Sequence, residues 1–123
     1  MSKIFKVGLI GCGHISETYF RAQEYFNNIR IVKCADINMD AAKKCAIHYN
    51  IEAVTVEELL KDKEIEIILN LTIPGAHYEV SKMALENGKH SYTEKPLAVN
   101  FEDGKKIVEL AKEKNLYIGN APD

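Results

Sequence analysis

Short apolar runs rich in β-branched residues alternate along this chain with stretches of helical period, and that alternation limits the available folds more than any other feature. Ile4 to Ile10 reads as a buried strand stopped by Gly11-Cys12-Gly13. From His14 the spacing turns helical, with Ile15, Tyr19, Ala22 and Phe26 sharing a face before Asn27-Asn28. Ile29 to Ala35 is a second strand, ending at Asp36. Asn38 can cap a helix whose small apolar stripe runs through Ala42, Cys45, Ala46 and Tyr49. A short strand at Ala53-Val54 precedes Thr55-Val56-Glu57-Glu58, a capping box that opens a brief helix. Ile65 to Leu71, the most apolar run, predicts a central parallel strand buried on both faces. Gly75 opens a helix with Val80, Met83, Ala84 and Leu85 inward, and Asn87-Gly88 closes it. His90 to Thr93 is a fifth strand. Asn100 and Asp103 begin a last helix through Ile107, Val108, Leu110 and Ala111, and a sixth strand lies around Tyr117-Ile118.

Six strands alternating with five helices demand an α/β fold, a parallel sheet with helices on both faces. The 123 residues suit one domain, residues 1–123, because two cores of that total size would each bury too little apolar surface. With 46% hydrophobic and 28% charged residues, the chain has the usage of an ordinary globular domain rather than of a disordered one. A net charge of -2 and a pI near 6.1 offer no general attraction for nucleic acid or anionic lipid. No apolar run approaches the roughly 20 residues that span a bilayer, so no membrane partner and a cytoplasmic location are expected. Cys12, Cys34 and Cys45 fall in a loop, a strand and a helix with no CxxC pair, which points to reduced thiols, with Cys12 a small packing residue at a helix entrance. The four histidines and three cysteines form no local ligand cluster in the sequence, and no metal site is expected.

Ligands of an open parallel sheet sit beyond the carboxyl ends of its strands, so those ends carry the functional reading. Strand one ends in Gly11-Cys12-Gly13-His14-Ile15-Ser16, a G-x-G-x-x-S form of the dinucleotide fingerprint between a strand and a helix. Gly11 permits the sharp turn, Gly13 lets the backbone approach a pyrophosphate, and Ser16 is small enough for close helix packing. The helix start behind them offers free N–H groups and a partial positive charge. Asp36 follows Gly13 by 23 residues, near the roughly 20-residue offset at which an acid meets the adenosine ribose. These signals point to a doubly wound sheet of Rossmann type. The charge of Asp36 opposes a 2′-phosphate and no Arg follows at Ile37 or Asn38, so NAD is expected over NADP. Two further polar clusters end strands four and five: Thr72-Ile73-Pro74-Gly75-Ala76-His77 and Glu94-Lys95-Pro96.

The ordered set of Gly11-x-Gly13, Asp36, Pro74-x-x-His77 and Glu94-Lys95-Pro96 resembles the N-terminal NAD-binding domain of the glucose-fructose oxidoreductase, inositol dehydrogenase and MocA family, across essentially the whole chain. The resemblance implies an oxidoreductase that moves hydride between NAD and a hydroxyl or ketone of a small substrate such as a sugar or polyol. It implies Gly11, Cys12, Gly13, His14 and Ile15 as the pyrophosphate turn and Asp36 as the adenosine ribose contact. Thr72, Ile73, Pro74 and His77 become the wall beside the nicotinamide ribose, with Glu94 nearby. Lys95 becomes the active-site lysine between nicotinamide and substrate, and Asn120 a polar residue near the nicotinamide. On physical grounds the cofactor takes only the hydride, and burial of an amine beside a cationic ring favours the neutral form that can take the alcohol proton.

Family members carry a second, largely antiparallel domain that contributes substrate contacts. The sequence stops at Asn120-Ala121-Pro122-Asp123, where the family would continue, and lacks the basic residue often found there in sugar-acting relatives. The expectation is a domain that binds NAD(H), turns over little by itself, and self-associates through apolar surface otherwise covered. Two other readings fit a glycine turn paired with an acid: a non-catalytic NAD-sensing or interaction module, for which Lys95 would be dispensable, and an S-adenosylmethionine methyltransferase, against which Glu94-Lys95-Pro96 argues.

Overall fold

In the computed structural model, which describes residues 3–120, every strand lies parallel to its neighbours in one six-stranded sheet. The strands are β1 (Phe5–Ile10), β2 (Ile29–Ala35), β3 (Glu52–Ala53), β4 (Ile67–Asn70), β5 (His90–Thr93) and β6 (Ile118–Asn120). Their order across the sheet is β3-β2-β1-β4-β5-β6. The chain thus winds outward from β1 in one direction, returns, and winds outward from β4 in the other, leaving a crevice between the carboxyl ends of β1 and β4. The helices are α1 (Ile15–Ala22), α2 (Met39–Tyr49), α3 (Val56–Lys61), α4 (His77–Glu86) and α5 (Phe101–Lys114), with short 3-10 turns at Gln23–Tyr25 and Pro74–Ala76. None is long and apolar enough to cross a membrane. The final Ala121-Pro122-Asp123, with its missing basic residue, and the opening Met1-Ser2 lie outside the described residues.

Local chemistry sets the helix boundaries. The Asn38 side chain accepts the N–H groups of Asp40 and Ala41, Thr55 and Glu58 exchange both bonds of a capping box, and Asn100 accepts the N–H of Asp103. Gly88 takes a φ of 76° just beyond α4, as the Asn87-Gly88 stop requires.

Successive strand residues point to opposite faces, and two cores result. Val7, Leu9, Ile31, Cys34, Leu69 and Leu71 face Phe20 of α1 and Cys45 and Ala46 of α2. Ile10, Ala35 and Ile68 face Leu59 and Leu60 of α3 and Val80 and Ala84 of α4. Leu85 of α4 packs with Ile107 and Ala111 of α5. Each fully buried aliphatic or aromatic side chain contributes about 1.5–3 kcal/mol, and Phe20 adds a stacked contact with Tyr49 at 3.7 Å between ring centroids.

Two inward faces differ from the sequence reading. In α1 the buried residues are Ser16 and Phe20, while Ile15 and Phe26 are exposed. The 3-10 turn rotates the chain after Ala22, so Phe26 no longer continues the stripe. In α5, Val108 stays exposed because the helix meets α4 along the narrower line of Ile107 and Ala111. On the face carrying α1, an apolar groove of about 430 Å³ opens among Val7, Tyr19, Phe26, Ile67, Leu69 and Tyr92.

Candidate active site

The turn after β1 is built around a backbone approach that only glycine allows. Gly11 has a φ of 103°, and a Cβ placed on it would lie 2.5 Å from the Leu71 carbonyl oxygen. The Gly11 N–H donates to Ala35 O at 2.9 Å and the Leu71 N–H to Ile10 O at 2.8 Å, so β1 is held on both sides as it ends. Gly13 has the opposite surroundings, with nothing within 4 Å of where a side chain would start. The Ser16 N–H and hydroxyl both turn back to Gly13 O, at 3.1 and 2.7 Å, which seats the buried Ser16 under the turn. Among the described residues no internal acceptor meets the amides of Gly13, His14 and Ile15, which stand at the start of α1 beside that open space. His14 and Ile15 are exposed on this rim.

Asp36 shares the crevice with the turn. Its Oδ2 accepts the Cys12 N–H at 2.8 Å and its Oδ1 accepts the Asn38 N–H at 2.8 Å. The carboxylate is thereby aimed, and each oxygen keeps a further lone pair for an incoming hydroxyl. Open backbone amides, a helix N-terminus and an oriented carboxylate at the strand-order reversal fit the diphosphate and ribose of a dinucleotide.

The other side of the crevice is assembled from β4 and β5. Asn70, fully buried at the end of β4, donates to His77 O and to Ser81 Oγ, each at 3.0 Å, and accepts the Thr72 hydroxyl at 2.6 Å. Ser81 in turn meets Thr93 Oγ1 at 2.9 Å, so the polar network crosses from β4 through α4 to β5. Thr72 is half-buried, and Ile73 and Pro74 are exposed at the rim, where the sequence places them.

His77 departs from its expected place in the wall. It is 1% exposed, with Nε2 2.7 Å from Thr72 O and Nδ1 against Pro96 O. The ring faces inward, between the loop after β4 and the loop after β5. A neutral imidazole can donate to only one of these carbonyls.

Glu94 is likewise engaged. Its carboxylate accepts the Tyr19 hydroxyl of α1, and burial, followed by that carboxylate, raises the Tyr19 pKa. Asn120 donates from Nδ2 to Thr93 O at 3.1 Å, bracing the end of β5. Lys95 stands exposed between Glu94 and Pro96, and the Lys95–Pro96 peptide is cis. The burial expected for Lys95 is therefore not supplied by the described residues.

Sequence reasoning missed three contributors. Asn70 interrupts the apolar stretch Ile67 to Leu71 at the carboxyl end of its strand, and that anomaly is the signal that could have revealed it. Tyr19 was read only as a packing residue, and nothing local links it to Glu94, 75 residues away. The three cysteines, separate in sequence, converge: all three sulfurs of Cys12, Cys34 and Cys45 lie within 4.8 Å of one another.

Comparison with known proteins matches residues 5–121 to GFO_IDH_MocA, an oxidoreductase family with an NAD-binding Rossmann fold. An inositol 2-dehydrogenase/D-chiro-inositol 3-dehydrogenase of Lacticaseibacillus casei is 31% identical over 119 residues, covering 92% of this chain and 34% of the relative. The crystal structure of a dehydrogenase (MviM) from Clostridium difficile superposes with a TM-score of 0.87 at 29% identity, over 97% of this chain and 39% of the other. KijD10, a 3-ketoreductase from Actinomadura kijaniata crystallised with NADP and TDP-benzene, gives a TM-score of 0.90 at 25% identity, over 96% of this chain and 37% of the other. The chain spans about a third of the length of the curated relatives it matches.

Proposed function

Because this chain belongs to the GFO_IDH_MocA oxidoreductase family, we propose that it is the NAD-binding part of a dehydrogenase acting on a hydroxyl or keto group of a small polyol or sugar. The observation that carries the reading is the 2.8 Å bond from the Cys12 amide to Asp36, which joins the open glycine turn and the acid in one crevice at the switch point of the sheet. Gly13, His14 and Ile15 would present their amides to the diphosphate, and Asp36 would accept ribose hydroxyls. Its charge opposes a 2′-phosphate, which supports NAD over NADP. The polyol reading draws on the inositol dehydrogenase relative.

Oxidation of an alcohol parts a hydride from carbon and a proton from oxygen, and the nicotinamide, when bound, supplies the hydride exchange. Lys95 then takes the proton from the substrate hydroxyl. An amine does so only in its neutral form, which desolvation favours, so this reading includes a covering domain that excludes water from Lys95. The rim that carries Lys95 is held by His77 on Pro96 O, by Tyr19 on Glu94 and by Asn120 on Thr93 O. We read this chain as binding cofactor by itself, with turnover requiring that second domain. Self-association is expected through the apolar groove beside Tyr19 and Tyr92.

Calorimetric titration of the chain with NADH, NADPH and S-adenosylmethionine tests the cofactor, with NADH expected to bind tightest. Equal affinity for NADH and NADPH would remove the stated preference, and binding of S-adenosylmethionine alone would overturn the dinucleotide reading. In a protein carrying the remaining two thirds, Lys95→Ala should abolish turnover while leaving NADH affinity in place. Undiminished turnover would turn the reading toward a binding module.

A further inference from the structure

The glycine turn, β2 and α2 bring together three side chains that the cofactor reading does not use. Cys12 leaves the turn half-buried, Cys34 is fully buried on β2, and Cys45 is 8% exposed on α2. Their sulfurs all lie within 4.8 Å of one another, and among the described residues no histidine or carboxylate joins them at that spacing. We propose that Cys12, Cys34 and Cys45 form a three-thiolate site for a soft, thiophilic metal ion.

The geometry suits such an ion. Metal–sulfur bonds of about 2.3 Å place three ligand sulfurs roughly 4 Å apart, so the trio needs to contract by less than about 1 Å. The approach is from the turn, where Cys12 is half-exposed. With three sulfurs and no oxygen or nitrogen donor, the site selects cations of the Cu(I), Zn(II) and Cd(II) kind over Mg²⁺ or Ca²⁺, which take oxygen.

Without metal, the Cys12 thiol lies 3.6 Å from Ala35 O and the Cys34 thiol 3.4 Å from Ala42 O, so both hydrogens have carbonyl acceptors. Cys12 and Cys34 as neighbours lower the pKa of Cys45, whereas Cys34 and Cys45, with burial, raise that of Cys12. When a divalent ion binds, three metal–sulfur bonds form, the thiol S–H bonds break, their protons pass to solvent, and the product is a tris-thiolate complex of net charge −1.

The test uses the reduced chain titrated with cadmium chloride, read by the ultraviolet sulfur-to-metal charge-transfer band and by proton release in weak buffer. One equivalent should bind, with Mg²⁺ unable to compete, and Cys12→Ser and Cys45→Ser should each weaken binding at least tenfold. Absence of the band at one equivalent, or unchanged affinity in both folded variants, would overturn the proposal. Should the serine variants not fold, alkylation of Cys12 in the native chain decides, since cadmium must slow it, and an unchanged rate refutes the site. None of these readouts involves a dinucleotide, so the metal site and the cofactor reading fail separately.

Discussion

Gly11 and Gly13 stand two residues apart in one fingerprint, yet alanine at each should have opposite effects. At Gly11 the new Cβ would lie 2.5 Å from Leu71 O, 2.6 Å from the Leu71 carbonyl carbon and 2.9 Å from Thr72 N, all backbone atoms of the neighbouring strand end. No side-chain rotation relieves such a contact. Holding alanine at a φ of 103° costs about 1–3 kcal/mol, forcing the strand ends apart costs about 1–3 kcal/mol more, and loss of the 2.8 Å bond from Leu71 N to Ile10 O adds about 1 kcal/mol. Gly11→Ala should therefore lower unfolding free energy by roughly 3–7 kcal/mol, a large part of what a domain of this size possesses. Gly13→Ala meets open space and should change stability by less than about 1 kcal/mol, while its methyl group fills the cradle and cuts NADH affinity at least tenfold. Urea unfolding of both variants, with calorimetry on Gly13→Ala, provides the assay. A loss under about 1 kcal/mol for Gly11→Ala, or equal losses for the two, would refute the division of labour.

Asp36→Asn keeps the acceptor for the Cys12 amide but removes the charge, so NADPH affinity should rise relative to NADH by calorimetry, and an unchanged ratio would contradict the role given to Asp36. His77→Gln, which retains one donor, should preserve the fold while loosening the loop at Pro96, seen as faster amide exchange after β5 with little change after β1. The carboxyl of Asp62 is held below its ordinary range first by Lys33 and then by the Glu64 N–H, so its contribution is present above pH about 4 and fades as pH falls through the folded value. Thermal midpoints should drop on acidification, and Asp62→Asn should lower the neutral midpoint and flatten that drop.

What was legible in the sequence was whatever depends on near neighbours. Ile29–Ala35 and His90–Thr93 appear with the bounds their composition predicts, and the caps at Asn38, Thr55 and Asn100 form because each bond spans two or three residues. The strand-end positions of Gly11, Asp36, Thr72 and Glu94 follow from the alternation itself. What escaped depends on the third dimension. Cys12, Cys34 and Cys45 meet only because β2 lies beside β1 and α2 packs against β2. The inward turn of His77 requires the loop after β5 to arrive with a carbonyl at Pro96. The exposed Val108 and Phe26 show the same limit, since helical period identifies an apolar stripe but not how wide a neighbour it will find.

The buried ring of His77 has a mechanical consequence. Its two ring nitrogens lie against a carbonyl from each of two successive strand-end loops, donating to one and packed against the other, so the ring ties the setting of Thr72 to that of Pro96. Reshaping the loop around Lys95 therefore also disturbs the loop at Thr72. Sequence changes to either loop are therefore best made to both together, as one adjustable part.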